Sequence, residues 1–258
     1  MVFLSDGDPL HIILKFAIIN PMAYDVVNFC EFYSTPLGQA AGHQIQRCIH
    51  QIWPNVAHQR ILGLGYALPY LDFYLTPSEC VFAFMPAQRG TVLWPSIGPS
   101  RITLIEEGNF PLPDQSVDRI LMIHTLEHTE QPRQLLREAW RVLNGQGRLL
   151  VIVPNRRSIW AHLDSTPFGH GQPYTMTQLT TFLKDNLFTP ICTKRALHMV
   201  PSQSQLMMAC APFLDKIGDQ ALQKFSGIVC VEAMKQVYAG TLVRTRKNAP
   251  STSLIGAN

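Results

Sequence analysis

The chain has 258 residues, 47% of them apolar and only 15% charged, which is enough apolar material for a core and excludes a disordered chain. Its net charge of +3 is too small a bias to argue for nucleic acid or an acidic surface as a partner. The six cysteines (Cys30, Cys48, Cys80, Cys192, Cys210 and Cys230) include no C-x-x-C pair, so neither a zinc cluster nor a redox motif is indicated. Reduced thiols and a cytoplasmic setting are the simplest expectation.

Near the N-terminus LHIILKFAII is apolar, but it is far short of the ~20 residues needed to span a bilayer. Asp6 and Asp8 precede it, where a secretory signal would carry positive charge. Residues 1–21 are expected to be a dispensable extension ahead of Met22, with a membrane-touching peptide as the alternative. Residues 22–240 then form a single domain, and 241–258 a disordered tail.

The first long helix is predicted from Pro36 to Trp53, with Ala41, Ile45, Cys48 and Ile49 among its apolar stripe. Short apolar runs follow: RILGLG (60–65), CVFAFM (80–85), RITLI (101–105), DRILMIH (118–124) and RLLVIVP (148–154). Unbroken apolar runs suit parallel strands covered on both faces. A helix is predicted from Pro132 to Leu143, closed by Asn144-Gly145. Another runs over 175–187, where Thr175 and Gln178 have capping-box spacing. SGIVCVEAM (226–234) reads as a last strand. Strands alternating with helices specify an α/β domain with a mostly parallel sheet.

Ligands of open α/β sheets bind beyond the C-terminal ends of the strands, so candidate residues are sought there. Gly63-Leu64-Gly65-Tyr66-Ala67 is a glycine turn that either admits a ligand or simply turns the chain. Glu106, Glu107 and Asn109 follow the third strand, where carboxylates can hold amino or hydroxyl groups of a nucleoside. His124-Thr125-Leu126-Glu127-His128 ends the fourth strand. The zinc-protease order is H-E-x-x-H on a helix, whereas this is H-x-x-E-H at a strand end; with no third ligand at a matching position, no metal is assigned. The stretch from Pro154 to Tyr174 has little regular pattern but is rich in aromatic and charged residues, as expected of a lid or substrate wall.

FPLPDQSVDRILMIHTLEHTEQPRQLLREAWRVLNGQGRLLVIVPN (110–155) and GHGQPYT (169–175) resemble the class I S-adenosylmethionine-dependent methyltransferases, in particular the type 11 group. The resemblance covers about Gln59 to Phe188. It implies a Rossmann-like methyltransferase fold: a mostly parallel central sheet with an antiparallel C-terminal strand and helices on both faces. It implies S-adenosylmethionine as cofactor, bound by Gly63, Gly65, Tyr66, Glu106, Glu107, Asn109 and His124, and an unidentified small-molecule acceptor. His128, His170 and Tyr174 are the catalytic candidates, the latter two presented by a loop whose Gly169 and Gly171 would act as hinges. The sequence departs from the family in two places. Its glycine motif reads Gly63, Gly65, Ala67, Pro69, and Met85 stands where the family places the acid that grips the ribose. The alternative is therefore a non-catalytic protein of the same fold that binds a partner or an adenosyl ligand without turnover.

Overall fold

The computed structural model describes residues 25–201 and 226–237. The extension and tail expected at 1–21 and 241–258, and Cys210, lie outside the described residues. Two helices open the described chain. α1 (Val26–Ser34) is capped by Asp25, whose carboxylate accepts from Asn28 N at 3.0 Å. α2 (Pro36–Ile52) is capped by Thr35, which accepts from Gly38 N at 3.0 Å, and Pro36 occupies its first turn. The predicted stripe of Ala41, Ile45, Cys48 and Ile49 is buried, and Trp53 closes the helix.

A seven-stranded sheet follows, in spatial order β3-β2-β1-β4-β5-β7-β6. Its strands are β1 (Arg60–Gly65), β2 (Cys80–Pro86), β3 (Ile102–Ile105), β4 (Val117–Ile123), β5 (Leu143–Pro154), β6 (Phe188–Ala196) and β7 (Ile228–Lys235). The first five run parallel, and β7 runs antiparallel to both β5 and β6. The expected mostly parallel sheet with an antiparallel last strand is what forms. β1 lies at the centre beside β4, so the two candidate segments that end these strands are neighbours.

Continuous apolar runs supply both faces because successive side chains alternate sides. Ile61, Leu121, Ile123, Leu150 and Ile152 join the core under α1, α2 and the short helix α3 (Leu68–Leu71). Leu62, Leu64, Met122, Leu149 and Val151 join the core under α4 (Pro132–Val142) and α5 (Met176–Asp185). α4 presents Leu135, Leu136, Ala139 and Val142 to that core; each of the buried Leu and Val side chains contributes about 1.5–3 kcal/mol. It ends one residue before the predicted position, because Leu143 already pairs with Val117 as the first residue of β5. α5 carries the predicted capping box, with Thr175 and Gln178 exchanging side-chain-to-backbone bonds. Elements that escape the sequence pattern include α1, the short α3, and β6, an edge strand whose apolar residues are interrupted by Thr189 and the run Thr193-Lys194-Arg195. No helix among the described residues is long and apolar enough to cross a membrane.

Candidate functional site

At the end of β1 the chain turns with Gly65 at φ +69°, a conformation suited to glycine. A Cβ there would run into Thr125 Oγ1 and the Ile123 carbonyl, so the β4 side of this turn is already filled by protein. Thr125 Oγ1 lies 2.9 Å from the Leu64 carbonyl oxygen and ties the two strand ends together. Gly63 gives room to Leu71 rather than to open space. Tyr66 is buried between Phe29, at 4.9 Å between ring centroids, and Tyr33, at 5.4 Å. Met85, at the end of β2, is also buried.

The residues after β4 make one tight turn, in which Thr129 N donates to the Thr125 carbonyl at 3.1 Å. His124 opens it at φ +52°, a left-handed conformation that costs a non-glycine residue roughly 1–2 kcal/mol. Its buried ring lies 3.1 Å from Glu127 Oε1 through Nδ1 and 2.8 Å from the Tyr33 hydroxyl through Nε2. Phe29 and Phe168 pack on it, with ring centroids 4.9 and 5.2 Å away. Arg89, also buried, donates to the His124 carbonyl at 3.1 Å. Burial by itself would raise the Glu127 carboxyl, but the His124 hydrogen bond and the charges of both histidines hold it below its ordinary value. Burial dominates at His128 and pushes its imidazole down to about 4, so the ring is neutral at pH 7. Burial likewise lowers the Arg89 guanidinium, opposed by the charges of Glu107 and Glu127.

This turn forms one wall of a cleft of about 870 Å³ beyond the ends of β2 and β3. The cleft brings together Glu106, Glu107, Glu127 and His128 with Arg89 and His170. Glu107 Oε2 accepts from Thr129 Oγ1 at 2.7 Å, which fixes the carboxylate against the turn. Asn109 is exposed and belongs to the β3 turn, where its N–H donates to the Glu106 carbonyl at 3.2 Å. Of the sequence-predicted residues, then, Glu106, Glu107, His128 and His170 share one cleft. Gly63, Gly65, Tyr66 and His124 lie packed behind its wall.

The long connection after β5 is more built than its composition suggests. It holds two 3-10 turns, Ile159–His162 and Pro167–Gly169, and buries Trp160 and Phe168 almost completely. Gly169 and Gly171 are close-packed positions, not free hinges. A Cβ at Gly169 would meet the Leu163 carbonyl, and one at Gly171, with φ +80°, would meet the Glu127 carbonyl. His170 Nε2 is 2.8 Å from the Asp164 carbonyl oxygen. Tyr174 is separated from it: its backbone bridges Asn155, and its ring lines a neighbouring cavity of about 730 Å³ with Arg156, His162 and Phe182.

Sequence reasoning missed Arg89, Phe29, Tyr33 and the packing role of Phe168. The aromatic spacing Phe29, Phe32, Tyr33 in VVNFCEFYS was the available signal, since it puts three rings on one helical face.

Residues 99–151 match a family model described as a methyltransferase domain, of the type 11 group. A probable S-adenosylmethionine-dependent methyltransferase of Mycobacterium tuberculosis is 34% identical over 90 residues, which are 34% of this chain and 32% of that protein. The matched segment thus spans about a third of the length of such relatives. An uncharacterised protein of Mycobacterium bovis is 25% identical over 226 residues, covering 83% of this chain and 73% of that one. Among solved structures, an S-adenosylmethionine-dependent methyltransferase from Aquifex aeolicus superposes with a TM-score of 0.53 at 15% identity, over 83% of this chain and all of that one. At that identity the likeness concerns the fold.

Proposed function

We propose that this chain, which belongs to the class I S-adenosylmethionine-dependent methyltransferase family, transfers a methyl group from that donor to a small-molecule acceptor. The observation that supports this reading best is the cleft beyond β2 and β3, where Glu106 and Glu107 offer carboxylates at a strand end of the family's sheet. The donor, when bound, supplies both the methyl group and its own leaving group, so the protein's task is to hold and align. Glu106, exposed at the rim, can accept from amino or hydroxyl groups; Glu107 is oriented by Thr129. His128, neutral with a pKa of about 4, is a weak base, better suited to accept a hydrogen bond from an acceptor than to remove its proton.

The residues present fit the adenine end of the donor better than its ribose and methionine ends. Over the glycine turn the space is taken by Thr125 and the Phe29–Tyr66–Tyr33 stack, and Met85 offers no carboxylate to a ribose. These features favour the second reading, a protein of this fold that binds an adenosyl ligand or a partner without turnover. Calorimetric titration with S-adenosylmethionine and its demethylated product separates the two. Binding that weakens by about one to two decades in Glu106→Gln supports the cleft assignment. Binding without methylation of any supplied acceptor supports the second reading. No heat and no rise in melting temperature with millimolar ligand would remove both adenosyl readings.

A further inference from the structure

We infer that His124, Glu127 and His128 form a binding site for one divalent transition-metal cation in the wall of the cleft. From the sequence no metal was assigned, because H-x-x-E-H at a strand end departs from the H-E-x-x-H order and shows no third ligand at a matching position. The turn itself brings all three together: one ligand atom from each lies within 4.8 Å of the other two. Bonds of 2.0–2.2 Å to a shared cation set donors about 3–4.4 Å apart, so rotations moving these atoms by under roughly 1 Å complete the set.

Further observations in the same turn point to a cation site. Glu127 Oε2 and His128 Nε2 are both buried with no hydrogen-bond partner, while the Glu127 side chain has no accessible surface at all. A carboxylate oxygen and an imidazole nitrogen orphaned side by side leave desolvation uncompensated, at a cost that native structures rarely carry. The backbone strain at His124 is held in the same turn, consistent with a geometry over-determined for binding. Behind the first ligand, Tyr33 meets His124 Nε2 at 2.8 Å, the outer hydrogen bond that fixes a ligating imidazole.

The donor set identifies the class of cation. Two imidazole nitrogens and one carboxylate oxygen suit zinc, iron(II), cobalt(II) or manganese(II); calcium and magnesium prefer all-oxygen shells. Three protein ligands leave positions open, and the turn that carries Glu127 and His128 is a wall of the cleft. A cation there would act as a Lewis acid on an oxygen of a molecule in the cleft. The site does not depend on the identity of any methyl donor.

Cobalt(II) is the probe, added to the full chain after stripping with a chelator. One equivalent should bind, develop the visible absorption of histidine–carboxylate ligation, and be displaced by zinc. His128→Phe and Glu127→Gln should abolish the absorption with the circular dichroism of the fold intact. Tyr33→Phe should weaken binding by about 10–100-fold, and His58→Ala, an exposed histidine, should leave it unchanged. If Glu127→Gln does not fold, His128→Phe carries the test, because His128 is only partly buried. Failure of the stripped wild-type chain to bind either cobalt or zinc would overturn the site and leave an ordered water as the occupant. Absorption that persists in His128→Phe would overturn it equally, by locating the cation elsewhere.

Discussion

The two ends of the sheet use similar residues in opposite ways. At the N-terminal end of β4, Asp118 accepts from Arg60 N at 2.8 Å and from its guanidinium at 3.1 Å, and also from Asn144. Nearby, Glu232 on β7 accepts from Trp53 Nε1 at 2.9 Å and Arg148 Nη1 at 3.2 Å, and pairs with Arg119 at 3.5 Å. Each carboxylate there is surrounded by partners from other elements, and the result is architecture. At the C-terminal end, Glu127 and His128 keep orphaned atoms, His124 is strained, and Arg89 is held in a wall instead of an ion pair. Polar groups satisfied by one another stabilise a fold; polar groups left incomplete beside a cleft are available to something else.

The largest expected effect falls on the first end. Glu232→Ala would leave Arg148 and Arg119 without their carboxylate and Trp53 Nε1 without an acceptor, at a cost of about 3–5 kcal/mol in denaturant unfolding. Its effect on ligand affinity per folded molecule should be small; a matched loss of affinity would break the division between the ends. Of similar size is Phe168→Ala, which removes a ring packed on Phe32, Trp160 and His124. It should cost about 3–5 kcal/mol and, unlike the first variant, also disturb binding in the cleft.

Asp118 sharpens the comparison through pH. Burial would raise its carboxyl, but the Arg60 hydrogen bonds and charge hold it below the ordinary value. A lowered folded-state pKa adds stability that is fully present above the unfolded value of about 3.9 and fades as pH falls through the folded value. With Arg60 about a third exposed, this contribution is at most about 1 kcal/mol, visible as a shallower acid limb in Asp118→Asn. The smallest stability change is expected for Glu127→Gln. The amide keeps an oxygen for His124 and loses a buried, half-satisfied charge, so unfolding free energy should change by under roughly 1 kcal/mol. A loss as large as that of Glu232→Ala would show both carboxylates to be structural.

Much of the sheet was legible in the sequence, because unbroken apolar runs such as RLLVIVP can only be strands buried on both faces or helix cores, and their length decides between the two. β6 was hidden by its edge position, where Lys194 and Arg195 are tolerated and the apolar signal is diluted. The cleft was half legible: Glu106, Glu107, His128 and His170 could be placed by following strand ends. What could not be read is the filling of the glycine turn. It depends on α1 reaching a residue 91 positions away, as Tyr33 does to His124, and no local pattern encodes such a contact. Nor could the sequence reveal that Gly169 and Gly171 serve close packing, since that follows from the backbone that lies against them.

Hydrogen exchange measured with and without S-adenosylmethionine tests the division between the two ends most directly. Amides around 86–89, 105–109, 127–131 and 170–172 should be protected by the ligand, and those around 143–148 and 232–235 should not change. Protection confined to a separate cavity, of about 490 Å³ and lined by Arg47, Lys194 and Arg195, would contradict the assignment of the cleft, as would no protection at a ligand concentration that shifts the melting temperature.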